Sequence, residues 1–259
     1  MVNNPPLRFS VCVETIFLEH PFEQRLEHVA AQGFNAFEFV ERNRKDMNIT
    51  QALASALRIT PIAFVGSTAS LVDPDQRAQF ERDITQAASL AVDLSCANLI
   101  VHSGPLMPNV PRPQQHAHIV EALRKVVPIA EDAGVTLLLE PRNIYDYPGN
   151  YLIFSNQGFQ IIREVNSPSV RLLFNLYHQQ ISEGNLSTRL VSNLDLIGHI
   201  HAADVPGRHE PGTGEINYRF IFALLREKGY RGYIGLDYTP LTSSERSLRA
   251  VRALAEPVK

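Results

Sequence analysis

Long apolar runs are missing from this chain of 259 residues: no stretch approaches the roughly 18 consecutive apolar residues needed to span a bilayer, so no membrane partner is expected. Cysteine is scarce. Cys12 and Cys96 are too few for a disulfide framework, and their apolar surroundings mark them as buried free thiols. A basic excess is also absent. The net charge of −3 offers no broad attraction to phosphate backbones, so no nucleic-acid partner is expected. The opening stretch MVNNPPLRF has neither a basic nor an apolar signal-peptide region, which leads to the expectation of a cytoplasmic protein. No linker rich in Pro, Gly and Ser divides the chain, so one domain over 1–259 is expected. A Gly-rich phosphate turn after an early strand is missing too, which counts against a doubly wound open sheet.

What the chain does have is a repeating alternation of short apolar runs with longer amphipathic ones. Candidate strands fall at 7–13, 34–40, 59–66, 97–104, 135–141, 170–177, 196–204 and 232–238. Most are continuously apolar, the pattern of parallel strands covered on both faces. Amphipathic segments lie between them. One ends at Gly33, a second starts near Asp73-Pro74, a third ends at Gly134 and a fourth at Gly229; others begin after Ser155 and near Ser243-Ser244. Eight strand–helix units in this length define the expected fold class, a single α/β domain folded as a (β/α)8 TIM barrel.

Four of the runs close on side chains of the kind that bind metals: Glu140 after LLL, Asn175 and His178 in NLYH, His201 in GHIHAAD, and Asp237 in YIGLDY. Strand ends of a parallel barrel converge on one face, so these residues can meet although 26 to 36 positions separate them. A carboxylate at the rim of an apolar strand is costly unless paired or metal-bound. For Glu140 the competing role is a salt bridge to Arg142; for Asn175 it is capping; for Asp237 it is capping of the turn that follows. His199 lies on the same side of its strand as His201 and a layer deeper, as a core histidine. His102 and Glu38 close strands that face the same mouth. His178 could hydrogen-bond a substrate hydroxyl, while Arg208 and Glu210 occupy a Gly- and Pro-rich loop at 204–218, where a guanidinium fork suits a substrate carboxylate. His20, His28, His116 and His118 read as surface residues. The loop RNIYDYPGNYL could serve as a lid.

EPRN at 140–143, NLYH at 175–178, GHIHAADVPGRHEPGTGEINY at 198–218 and GYIGLDYTP at 232–240 resemble the hydroxypyruvate isomerase family, with HEPGTGEINY the most specific. The resemblance spans the chain and implies a xylose isomerase-like barrel, a superfamily that also holds ketose 3-epimerases. It implies that Glu140 is both a metal ligand and an acid–base residue, that His201 is a ligand, and that Arg208 contacts substrate. It also shows two departures: Asn175 stands where the family has an aspartate ligand, and Asp237 where it has a catalytic glutamate. They leave open an altered substrate, an altered metal preference or a lost activity.

The expected function is therefore a metal-dependent isomerase of carbohydrate metabolism acting on a small hydroxy-keto acid or sugar. A proton would move through an enediolate by way of Glu140 and Asp237, and the metal ligands would be Glu140, Asn175, His201 and Asp237. Mg²⁺ or Mn²⁺ suits the mostly oxygen donor set, with Co²⁺ or Zn²⁺ admitted by the histidine. His178, Arg208, Glu210 and His102 are the expected substrate contacts, and assembly as a homo-oligomer is left open. The alternatives are a ketose 3-epimerase-type activity, a dehydratase or lyase on the same ligands, an endonuclease disfavoured by the charge, and a barrel that binds a sugar or keto acid without metal catalysis.

Overall fold

Each continuous apolar run becomes a strand with one face toward helices and the other toward the barrel bore, which is why alternation is weak. The computed structural model describes residues 6–43 and 45–256; the first five residues, part of the opening stretch discussed above, lie outside them. The strands are β1 (Arg8–Cys12), β2 (Ala36–Glu38), β3 (Thr60–Pro61), β4 (Ala63–Val65) and β5 (Asn98–His102). They continue as β6 (Thr136–Glu140), β7 (Val170–Asn175), β8 (Ile197–Ala202) and β9 (Tyr233–Leu236). All pair in parallel, in the order β3-β2-β1-β9-β8-β7-β6-β5-β4.

Only Ile62 separates β3 from β4, so the two are halves of one barrel strand. Its amide donates to Phe37 O, and Phe39 N donates to Ala63 O, which carries the β2 ladder onto β4 and closes the circle. The eight expected strands are therefore present, the third of them broken in the middle.

Between them run α1 (Phe22–Ala31), α2 (Met47–Leu57), α3 (Arg77–Leu94), α4 (Arg112–Ala133) and α5 (Ser155–Val165), followed by α6 (Leu176–Ser182), α7 (Leu186–Ser192), α8 (Tyr218–Glu227) and α9 (Ser244–Ala255). Capping chemistry fixes their ends. Asp73 accepts from Asp75 N at a 3₁₀ turn, Pro74–Gln76, that leads into α3, and Ser243 accepts from Arg246 N at the start of α9. Gly134 ends α4 with φ +66°, a left-handed conformation that favours glycine. The expected strand to residue 177 stops two residues early, because the Asn175 side chain accepts from Tyr177 N and His178 N and starts α6 there.

The main core, with Phe64, Phe80, Phe159, Phe174 and Phe222 among its buried rings, fills the space between sheet and helices. A separate small cluster of Ala63, Ile100, Leu138 and Leu173 plugs one side of the bore. The other side is polar: Ser10, Glu38, His199 and His201 are buried there. A register shift between Leu172 and Leu173 sets Leu173 opposite His199 and Asn175 opposite His201.

Candidate active site at the carboxyl ends of the strands

Register brings the predicted residues together in pairs. His102 lies beside Glu140 on β5 and β6, Asn175 beside His201 on β7 and β8, and His201 beside Gly235, two residues before Asp237. At the centre is His201. Its Nε2–H donates to Glu38 Oε2 at 2.9 Å, while its buried Nδ1 has no hydrogen-bond partner. That nitrogen faces Asp237 Oδ2 at 3.5 Å and Glu140 Oε1 at 3.8 Å. Burial works against a charge on this imidazole, but Glu38, Asp237 and Glu140 outweigh it and raise its pKa to about 9.

Glu38 is the floor of the site. Its Oε2 also accepts from His199 Nε2 at 3.2 Å, and its Oε1 from Ser10 Oγ at 3.0 Å. Burial alone would raise its pKa, yet the charges of His201 and His199 and their hydrogen bonds hold it well below the usual carboxylate range. The close approach requires glycine opposite: a Cβ on Gly235 would lie 2.1 Å from Glu38 Oε1 and 2.6 Å from His201 Cδ2. His199 is thus the deeper, satisfied histidine expected from its place on the strand.

Glu140 is buried and held on both oxygens. Oε2 accepts from His102 Nε2–H at 3.0 Å, and Oε1 accepts from Asn175 Nδ2 at 3.0 Å. Burial opposes its ionisation, but the His102 hydrogen bond and neighbouring imidazoles keep its pKa well below the normal value. No ion pair joins it to Arg142 among the described residues, so the salt bridge weighed from the sequence is not formed. Asn175 spends its oxygen on the cap of α6, with Tyr177 N at 3.1 Å and His178 N at 3.3 Å, and turns its NH₂ to Glu140. The amide oxygen expected as a metal ligand therefore faces the helix.

His178 is buried, and burial lowers its pKa to about 4, so the ring is neutral. Asn143 Nδ2 donates to its Nδ1 at 2.7 Å, which leaves the proton on Nε2, a buried donor with no partner. Asn143 is itself fixed by accepting from Tyr145 N and Asp146 N, both at 2.9 Å. Arg208 hydrogen-bonds and ion-pairs with Asp237 Oδ2, lies 4.0 Å from Asp146 Oδ2, and stands over the Tyr177 ring. Burial would lower its proton affinity, but Asp237 and Glu140 raise it further.

Arg208 is presented by a loop ordered around Asp204. Asp204 is fully buried and accepts from Val205 N, Ile216 N and Gly212 N at 2.9 to 3.0 Å. Glu210 does not join the group: its Oε2 accepts from Leu241 N at 2.9 Å and ties the loop to the segment after β9, a fastening role in place of the expected substrate contact. His116 bonds Glu164, and His118 bonds Val72 O, away from the mouth. His20 and His28 stack with ring centroids 4.0 Å apart near Glu245. Asn143, Asp146 and Tyr147 belong to the site but carried no separate signal in the sequence beyond membership of the long loop after β6.

Among the described residues, His20, His28 and Glu245 could hold a cation away from the mouth, and two places at the mouth could do so. Glu38, His199 and His201 bring one donor atom each within 4.8 Å of the others. There, however, Glu38 Oε2 already accepts from both imidazoles. The other place is in front of His201 Nδ1, a nitrogen without a hydrogen-bond partner that faces two carboxylates; a cation held there would take the place of the proton on Nδ1, and a ligating imidazole held through its other N–H by a carboxylate is the usual arrangement around protein-bound metals.

The family model for xylose isomerase-like TIM barrels matches residues 26–254, and the chain belongs to that family. Among its relatives, a 2-oxo-tetronate isomerase of Cupriavidus necator is 34% identical over 93% of this chain and 96% of its own length. A hydroxypyruvate isomerase of Escherichia coli is 32% identical over 94% of this chain and 97% of its own. These two kinships place the chain among the isomerases of the family. A solved structure described as an AP endonuclease, family 2, from Brucella melitensis superposes with a TM-score of 0.90 at 27% identity, covering 95% of this chain and 98% of that one.

Proposed function

We propose that this chain is a metal-dependent isomerase that moves a proton between neighbouring carbons of a small hydroxy-keto acid or sugar, with Glu140 and Asp237 as the acid–base pair. The observation that carries this reading is the free Nδ1 of His201, set between the two carboxylates and aimed by Glu38. Glu140, His201 and Asp237 fit as the protein ligands of a divalent cation, and Asn175 serves by positioning Glu140. Mg²⁺ or Mn²⁺ matches two carboxylates and one imidazole, with Co²⁺ and Zn²⁺ also compatible. Such an ion would supply Lewis acidity toward the carbonyl and hydroxyl oxygens of the substrate.

The rest is done by side chains. His178 Nε2–H donates to a substrate oxygen while staying neutral, since its pKa lies near 4. Arg208 offers a second cationic contact once Asp237 turns to the substrate. Glu140, ionised and buried, takes the carbon-bound proton as general base, and His102 stabilises it in that state. Asp237 lies on the other side of His201; ionised at the start, it takes the substrate hydroxyl proton as the enediolate forms and can deliver that proton to carbon, while Glu140 passes the proton it holds to the oxygen left bare. Return to the neighbouring carbon is isomerisation. The two-sided placement equally suits return to the same carbon from the opposite face, an epimerisation. Buried side chains around the mouth exclude water from the enediolate.

Conversion of hydroxypyruvate and 2-oxo-tetronate with Mn²⁺ present, in wild type and Glu140→Gln, tests the reading. Loss of a general base costs about 10²–10⁴-fold; equal rates in the two proteins would remove Glu140 from the chemistry.

A further inference from the structure

Among the described residues, Arg142 is a cation without a counter-charge. Arg142 lies two residues beyond Glu140, at the start of the loop after β6, with its amide donating to Leu152 O at 3.0 Å. Its guanidinium stands 3.7 Å from the centroid of the Tyr147 ring, and Tyr147 in turn meets His178 edge-on at 5.7 Å. Its charge also opposes protonation of the His102 imidazole, behind burial as the main cause. Arg142, two residues beyond Glu140, is therefore joined to His178 through the Tyr147 ring.

No carboxylate of the described residues pairs with it: Glu140 is held by His102 and Asn175, Asp237 by Arg208, and Asp146 by Asn143 and Tyr177. Its Nε is buried with no hydrogen-bond partner. A buried donor left unmade costs about 1–3 kcal/mol, and more on a charged group. The Tyr147 face compensates the charge in part, but it cannot accept the Nε–H in the plane of the fork. A planar, stacked guanidinium that no carboxylate of the described residues pairs with is suited to a carboxylate.

We propose that Arg142 is a carboxylate-binding residue of this barrel, through which a compound carrying an acid group is held in preference to a neutral one of the same size. The proposal rests on the isomerase reading for its substrate but not for the binding it predicts. An acid of three or four carbons bound here would place its carboxylate on Arg142 and its hydroxy-carbonyl carbons toward Glu140.

Calorimetric titration of the Mn²⁺-loaded protein with glycerate, an acid with no carbonyl to isomerise, and with neutral dihydroxyacetone tests this in wild type, Arg142→Met and Arg142→Lys. Removing a charge-assisted contact lowers affinity by about 10–100-fold, so the preference for glycerate over dihydroxyacetone should fall by that factor in Arg142→Met and recover in part in Arg142→Lys. Mn²⁺ affinity, measured separately, reports that the site is intact. KM for hydroxypyruvate, the compound named for the E. coli relative, should rise by more than kcat falls. An unchanged preference, or wild type that binds glycerate no better than dihydroxyacetone, overturns the proposal. Glycerate binding that depends on Arg142, with no turnover of hydroxypyruvate by wild type, would instead overturn the isomerase reading and leave the carboxylate site standing.

Discussion

A carboxylate at position 175 would sit where an amide now donates to Glu140 Oε1 at 3.0 Å. Two like charges at that distance repel unless a cation lies between them. Asn175→Asp should therefore lower the stability of the metal-free protein by about 1–3 kcal/mol and enlarge the thermal shift produced by Mn²⁺. Equal Mn²⁺ shifts in the two proteins would mean that position 175 does not face the cation. Gly235 is the opposite case, a residue whose value is its missing side chain. Gly235→Ala drives a Cβ to 2.1 Å from Glu38 Oε1, and overpacking of this kind costs about 1–3 kcal/mol. Urea midpoints measure the loss; because Glu38 aims His201, Mn²⁺ affinity should fall with it. Sequence pattern singled out Glu140, His201 and Asp237, which the structure brings together, because a polar residue closing an apolar strand stands out. It could not show which atom of Asn175 would face the site, since that is decided by two amides of α6.

The loop at 204–218 is the element on which Arg208 depends. Its polar composition marked it as functional, yet what orders it is one buried carboxylate, Asp204, gathering three backbone amides. Asp204→Ala leaves those donors without a partner at about 1–3 kcal/mol each before relaxation. Its expected result is a lower melting temperature together with new proteolytic cleavage confined to this loop. Cleavage spread over the whole chain would show that Asp204 stabilises the barrel generally. Glu210 lies in the same motif and was indistinguishable from a substrate contact by sequence; only the nearness of Leu241 N shows it to be a fastening. The third strand likewise looked continuous from 59 to 66, and its break at Ile62 follows from the way β2 hands its ladder from β3 to β4, a long-range constraint with no local sign.

At the scale of the molecule, the fold was legible because eight apolar runs alternating with amphipathic segments have few ways to bury both faces of every strand. The bore was less so: that Ala63, Ile100, Leu138 and Leu173 form a plug apart from the main core depends on register, including the shift at Leu172. Closure also shields the thiols. Burial pushes Cys96 from 9.0 up to about 12, so this thiol stays protonated in the fold over a range where it ionises in the unfolded chain. The folded pKa being the higher, its contribution to stability is complete below about pH 9 and declines between 9 and 12. Alkylation at pH 8 should accordingly track global unfolding in urea; fast labelling without denaturant would contradict the burial of Cys96. The proposed cation position lies in front of His201 Nδ1, between Glu140 and Asp237, and anomalous diffraction at the manganese edge from crystals soaked in Mn²⁺ tests it. One peak is expected within about 2.0–2.3 Å of His201 Nδ1 and of a carboxylate oxygen from each of Glu140 and Asp237. A peak between Glu38 and the Nε2 atoms of His199 and His201, or none anywhere at the mouth, would contradict it.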